Sequence, residues 1–137
     1  MAEARCVRDL MTSEVRSVRR NDQLILADEL MRDEEIRHLV VLDDDDAVCG
    51  IVSQRDIFRG ALLRALGFGE RAAEKFLESL LVKEVMTREP VTVGPAEEVG
   101  AAARLLHSNK VGCLPVVEND ALVGIITATD LLQSLFD

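Results

Sequence analysis

Apolar positions along the chain fall into two rhythms. Leu24, Ala27, Leu30 and Met31 recur at helical spacing, and so do Val99, Ala102, Leu105 and Leu106. A short extended piece precedes each stripe, Val15 to Val18 in one place and Val91 to Val93 in the other. Two apolar runs follow each, Leu39 to Leu42 with Val48 to Val52, and Leu114 to Val117 with Leu122 to Ile126. Short apolar runs bounded by polar turns predict paired strands, here turned by "DDDDA" (43 to 47) and "ENDA" (118 to 121). Helix-start signals stand at Asn21 or Asp22 in the first case and at Pro95 in the second, and a closing helix begins just past each second strand. The predicted unit is strand, helix, strand, strand, helix, written twice in an α+β chain.

The duplication is explicit in the letters. "VRDLMTSEV" (7 to 15) parallels "VKEVMTREP" (82 to 90), "IRHLVVLD" (36 to 43) parallels "VGCLPVVE" (111 to 118), and "GIVSQRD" (50 to 56) parallels "GIITATD" (124 to 130). The offset is 75 residues from Val7 to Val82 and 74 from Gly50 to Gly124, so one residue is lost in the second hairpin turn. The repeats run over 1–60 and 82–137, with an insert at 61–81. Across and before that insert, Ile57, Ala61 and Leu62 form one stripe and Ala73, Phe76, Leu77 and Leu80 another, broken at Gly67-Phe68-Gly69. This predicts a helical hairpin, because glycine ends helices at little steric cost. It is too apolar for a free linker: it covers its own sheet or meets a second chain, and the second chain of a homodimer is the favoured expectation.

Charge and composition narrow the partners. A formal net charge of -9 repels polyanions, and four Phe without Trp or Tyr offer few stacking platforms, so nucleic acid is not expected. Cys6, Cys49 and Cys113 are odd in number and form no C-x-x-C pair, which fits thiols in a reducing compartment, the cytoplasm, better than disulfides or zinc. No run approaches the roughly 18 apolar residues of a membrane span, and the first residues lack a secretory pattern. Neither export nor a membrane partner is expected.

The recurring glycine, apolar, apolar, hydroxyl, x, x, Asp motif carries the candidate chemistry. Ser53 stands where an N-cap would, and Asp56 falls at the third helical position; Thr127 and Asp130 repeat the arrangement. One reading is a capping box, hydroxyl and carboxylate satisfying the free amides of the first turn. The other is a ligand site, since a helix start accepts phosphate and a carboxylate accepts hydrogen bonds from a ribose diol. The two readings compete for the same oxygens.

"LMT" (10 to 12) and "VMT" (85 to 87), "RHLVVLD" and "CLPVVE", and the doubled motif together resemble two CBS domains, named for cystathionine beta-synthase. The resemblance covers the chain apart from the insert. It implies a stand-alone CBS pair, or Bateman module, packed about a pseudo-twofold axis, with two clefts for adenosine ligands such as AMP, ADP, ATP or S-adenosylmethionine. A regulatory, energy-sensing role and a homodimer follow from it. Carried over by position, a favoured cleft combines Ser53, Arg55, Asp56, Arg37 and His38 with Thr87, Val91, Thr92, Val111 and Gly112. A second combines Thr127, Thr129 and Asp130 with Thr12, Arg16, Ser17, Ile36 and Arg37. Arg37 and His38 match positions able to face phosphates, whereas their counterparts Gly112 and Cys113 carry no charge; the Asp56 cleft is therefore expected to bind phosphorylated ligands more tightly. The first repeat departs from the pattern, with Val15 in place of Pro90 and Arg16 in place of Val91, which obstructs a base in the second cleft.

Other candidates have plainer readings. Arg37 and His38 can be mere strand-mouth residues, His107 a solvated helix residue, and Asp43 to Asp46 a solvated turn, since that run lacks the spaced ligands of a calcium loop. Met11 and Met86 are expected to fill the core. No metal site is expected, and no catalytic cofactor, though magnesium is a candidate companion of a nucleotide. No nucleophile elbow, P-loop or triad stands out, so the chain is not expected to be an enzyme. The leading function is ligand sensing with output to a protein partner in trans; the alternative is a constitutive dimerisation scaffold with empty clefts.

Overall fold

The computed structural model describes residues 5–67 and 69–136. In chain order its elements are α1 (Val7–Leu10), β1 (Ser17–Arg19), α2 (Leu24–Glu34), β2 (His38–Leu42), β3 (Val48–Ser53), α3 (Gln54–Ala65), α4 (Gly69–Ser79), α5 (Val82–Val85), β4 (Thr87–Arg88), α6 (Val99–Asn109), β5 (Cys113–Glu118), β6 (Ala121–Thr127) and α7 (Ala128–Gln133). They form two compact units. The first is Arg16–Glu89; the second joins the residues up to Val15 to those from Pro90 onward.

The first unit holds a four-stranded sheet in the order β1-β2-β3-β4. β1 runs parallel to β2, with Ser17 opposite Val40, and β3 returns antiparallel, with Ser53 opposite His38. β4 closes the far edge antiparallel to β3, with Thr87 opposite Ile51. Leu24, Ala27 and Met31 of α2 pack with Leu39, Val41 and Val52 of the sheet, and with Ile57, Leu77 and Val82. In the second unit β5 and β6 pair antiparallel, Cys113 opposite Thr127. Single bridges flank them, Val93 parallel to Val116 and Thr12 antiparallel to Ile125. Its core joins Val7, Val93, Ala102, Leu106, Leu114, Val116 and Ile126.

The Met-Thr segment of each repeat thus completes the other repeat's unit. Val7 caps the second core and Val82 the first, both fully buried. Their short helices start alike: the Asp9 carboxylate accepts the Cys6 N–H at 2.9 Å, and the Glu84 carboxylate accepts the Leu81 N–H at 2.7 Å.

Several expectations shift. The helices begin at Leu24 and Val99, later than Asn21, Asp22 or Pro95, because Gln23 and Glu98 stay extended to bridge Leu81 and Cys6. Asp22 instead closes a turn by accepting the Arg19 N–H at 2.8 Å. The strand expected at Val15 to Val18 lies at Ser17–Arg19, and the Val91 to Val93 piece contributes one bridge, at Val93. The helical hairpin is present, with Gly67 at φ 85° and Gly69 at φ 84°; Phe68 between them, and the Ala61 and Ala73 side chains, lie outside the described residues. Phe76, Leu77 and Leu80 pack into the first core, so the stripe read as a surface for a second chain is in this part internal. Leu62 is exposed.

The aspartate run is a built turn. Asp43 Oδ1 accepts the N–H groups of Asp45 and Ala47 at 2.8 and 3.0 Å, while Arg19 donates to the Asp43 carbonyl at 2.7 Å and pairs with Asp46. Asp44 and Asp45 remain exposed.

Candidate functional site

Both motif strands run straight into a helix, and in both the aspartate ties the junction. Asp56 Oδ2 accepts the Ser53 N–H at 2.7 Å and the Ser53 hydroxyl at 3.1 Å. Asp130 Oδ2 accepts the Thr127 N–H at 2.9 Å, and Thr127 Oγ1 accepts the Asp130 N–H at 3.1 Å, a reciprocal capping box. The capping role read from the sequence is therefore realised in full at Thr127 and Asp130 and in its carboxylate half at Ser53 and Asp56, where the hydroxyl bonds the carboxylate instead of a helix N–H. It occupies one oxygen of each carboxylate: among the described residues, Oδ1 of Asp56 and Oδ1 of Asp130 accept no hydrogen bond. An ionised carboxylate has about four acceptor positions, so capping leaves acceptor capacity on both half-buried side chains.

The strand start lies beside the helix start. The Arg37 carbonyl accepts the Gln54 N–H at 2.8 Å, and the Gly112 carbonyl accepts the Ala128 N–H at 3.0 Å. One residue on, His38 faces Ser53 across the strand pair and Cys113 faces Thr127. A left-handed residue ends each preceding helix, Glu35 at φ 54° and Lys110 at φ 55°, and aims the chain into this position. Burial, aided by Arg37, holds the half-buried His38 imidazole below its usual pKa, while Asp56 pulls the other way. The imidazole is thus neutral at pH 7. Cys113 is buried, and burial pushes its thiol up to about 12, so the equivalent position in the second unit is uncharged as well as apolar.

The sequence-derived sets divide between the units. The first unit brings Arg37, His38, Ser53 and Asp56 together, with exposed Arg55 on the same helix. It also holds Thr87, read as a second-repeat residue but paired into this sheet. The second unit brings Gly112, Thr127 and Asp130 together with exposed Thr129, and holds Thr12 opposite Ile125. Val91, Thr92 and Val111 belong to the second unit, and Arg16, Ser17 and Ile36 to the first. Arg16 pairs with Glu34 at 3.2 Å, and Ile36 packs half-buried on its own core.

Reading the sequence missed two features. One is the approach of Met86 to Gly50 and of Met11 to Gly124, where a Cβ would lie 2.5 Å from sulfur in each case. The doubled glycine was a signal for it. The other is a concavity of about 250 Å³ lined by Asp28, Met31, Arg32, Gln54, Ile57, Phe58 and Leu77. Three helices supply it, and no local motif announces it. Among the described residues no cluster of three or more His, Cys, Asp or Glu is placed to hold a metal, and no helix is long and apolar enough to cross a membrane.

Comparison with known proteins bears on this geometry. The CBS domain family matches residues 7–62 and 82–137. A CBS domain-containing protein of Dictyostelium discoideum is 31% identical over 94% of this chain and 90% of its own length. The inosine-5'-monophosphate dehydrogenase of Korarchaeum cryptofilum is 35% identical over 95% of this chain, which spans 23% of that enzyme. The chain likewise spans 23% of a homoserine O-acetyltransferase of Methanococcoides burtonii, at 29% identity over 91% of this chain. Among solved structures, the CBS domain of a membrane protein from Sphaerobacter thermophilus superposes with a TM-score of 0.80 at 30% identity, covering 94% of this chain and 86% of that one. CBSX2 in complex with AMP gives 0.77 at 27% identity, covering 96% of each.

Proposed function

The chain belongs to the CBS domain family as a tandem pair, and on that premise we propose that it is a regulatory module sensing an adenosine-containing ligand, AMP, ADP, ATP or S-adenosylmethionine. The observation that carries this reading is the duplicated aspartate whose Oδ2 anchors its helix while Oδ1 keeps no partner among the described residues. That oxygen is an anionic acceptor for a ribose diol, and Ser53 or Thr127 lies within reach of the same sugar. The AMP complex of the 27%-identical CBSX2 supports the ligand class. The chain then acts by regulation rather than catalysis: ligand shifts an equilibrium, and the shift is read by a protein partner or by the second chain of a homodimer.

The two edges are unequal. The Asp56 edge carries Arg37, able to meet phosphate with charge-assisted hydrogen bonds, and His38; the Asp130 edge carries Gly112 and Cys113. Phosphorylated ligands therefore prefer the Asp56 edge, with magnesium as a companion of ADP or ATP.

Calorimetric titration of AMP, ADP, ATP and S-adenosylmethionine tests this. Asp56→Asn keeps an oxygen for the Ser53 N–H but removes the charge, so it separates sugar binding from capping. It should weaken the favoured nucleotide by about 1.5–3 kcal/mol, roughly 10- to 150-fold, with little loss of stability. Abolition of binding by Asp130→Asn with Asp56→Asn unaffected would reverse the ranking of the edges. A second reading, a constitutive dimer scaffold, is favoured by the exposed Phe58, Leu62 and Leu66. It requires that no nucleotide raise the melting temperature, whereas a ligand at a hundredfold excess over its Kd adds about 2.7 kcal/mol.

A further inference from the structure

At the Asp56 edge, His38 differs from every other side chain in one respect: it can change its charge within the physiological pH range. It sits on β2 directly opposite Ser53, whose N–H and hydroxyl both bond Asp56. Among the described residues the charged groups acting on it are Arg37, its neighbour in the chain, and Asp56 from α3. Arg16, at the start of the adjacent strand β1, is paired with Glu34. In the free protein the balance is set: Arg37 supplies one cation, Asp56 one anion, and a second cation at His38 is disfavoured by burial. A phosphate group brought alongside adds about one to two negative charges to that balance, and imidazolium then becomes the favoured form.

We propose that His38 makes phosphate binding at the Asp56 edge proton-linked: the bound phosphate converts the neutral imidazole to imidazolium by taking one proton from solvent, so affinity rises as pH falls. This deepens, and rests on, the reading of that edge as a nucleotide site. By linkage the effect is reciprocal, and protonation tightens the ligand by the factor by which the ligand favours protonation. The sign follows from the two states of one group. His38 titrates below its ordinary value when free and higher when phosphate is beside it, and between those two values binding takes up a proton. Affinity therefore climbs as pH drops through that window and levels once the free protein is itself protonated. The second unit supplies an internal contrast, since Cys113 in the corresponding place carries no proton that changes between pH 5 and 8. A module of this construction responds to phosphorylated ligand more strongly when its surroundings acidify.

Titration calorimetry of the full chain with ADP, at about pH 8 and about pH 5.5, on wild type and His38→Gln, decides the matter. The ligand's own phosphate ionises near pH 6, but it does so equally in both titrations, so the difference between proteins isolates the imidazole. Wild type should gain about tenfold more affinity than His38→Gln over that range, within the limit of tenfold per pH unit for one proton. Repeating both titrations at about pH 6.5 in buffers of different ionisation heat should show more proton uptake by wild type than by His38→Gln. Equal pH slopes in the two proteins, with ADP bound by both, overturn the linkage and leave the nucleotide site standing. Folded wild-type protein that binds no ADP, AMP or ATP at any pH overturns the site, and the linkage with it. If His38→Gln does not fold, His38→Asn takes its place, and equal pH slopes in it and wild type overturn the linkage.

Discussion

Gly50 and Gly124 are where a single missing atom decides the local structure. A Cβ on Gly50 would sit 2.5 Å from Met86 Sδ and 3.0 Å from the Thr87 carbonyl; on Gly124 it would sit 2.5 Å from Met11 Sδ and 3.1 Å from the Thr12 carbonyl. The thioethers can swing aside, but the carbonyls cannot, because Thr87 and Thr12 are held in register against Ile51 and Ile125. Gly124→Ala should therefore lower stability by about 1–3 kcal/mol in a urea titration. Gly100→Ala is the matched control: no atom lies within 4 Å of its added Cβ in α6, and the substitution should stabilise by about 0.4–1 kcal/mol. Equal effects at the two glycines would remove close approach as the reason for the motif's first letter. The same motif shows why the two readings of its last letter coexist. Capping takes one oxygen of Asp56 and sugar binding needs the other, so a residue that secures the helix start also stands ready at the site.

Among the elements, α4 is the one whose role is least evident from its surroundings in the sequence. Leu77 is 1% exposed and packs with Ile57, Leu24 and Val82, although it comes from an insert between repeats. Leu77→Ala should cost about 2–5 kcal/mol, measured by thermal or chemical denaturation, and a cost near zero would mean that α4 is dispensable to the first core. What could be read in advance here was periodicity: the stripes of α2 and α6, the apolar strands, the two hairpins and the glycine break all follow from local spacing. What could not be read was long-range pairing. Gln23 and Glu98 have nothing in their own neighbourhood that forbids helix, and they stay extended because Leu81 and Cys6 arrive to bridge them. Thr12 and Thr87 likewise pair outside their own repeats, Thr12 with Ile125 and Thr87 with Ile51. Of the candidate site, the cap was legible, since a duplicated hydroxyl and carboxylate at a strand-to-helix junction name that chemistry. The balance of Arg37 and Asp56 on His38 was not, because it depends on a register that sets His38 against Ser53.

For the molecule as a whole, two pairs of exposed apolar side chains follow the duplication. Phe58 and Leu62 on α3 correspond, at the offset of 74 that relates Gly50 to Gly124, to Leu132 on α7 and to Phe136 beyond it. Phe58 is 60% exposed and Phe136 83%. If these stripes form the proposed homodimer, Phe58→Glu with Leu62→Glu should halve the mass seen by light scattering while leaving the far-UV spectrum unchanged. A wild-type protein that is already monomeric at high concentration would remove the dimer from the proposal. The exchange of Val7 and Val82 between units has its own consequence, one of timing. Every strand and helix of the first unit has left the ribosome once Arg88 has, so that unit can close while translation continues. The second cannot: Val7 emerges early and waits for Glu97, whose carbonyl accepts its N–H, and Thr12 waits longer still for the strand carrying Ile125, so the two ends of one short segment dock at different moments and the second unit is finished last.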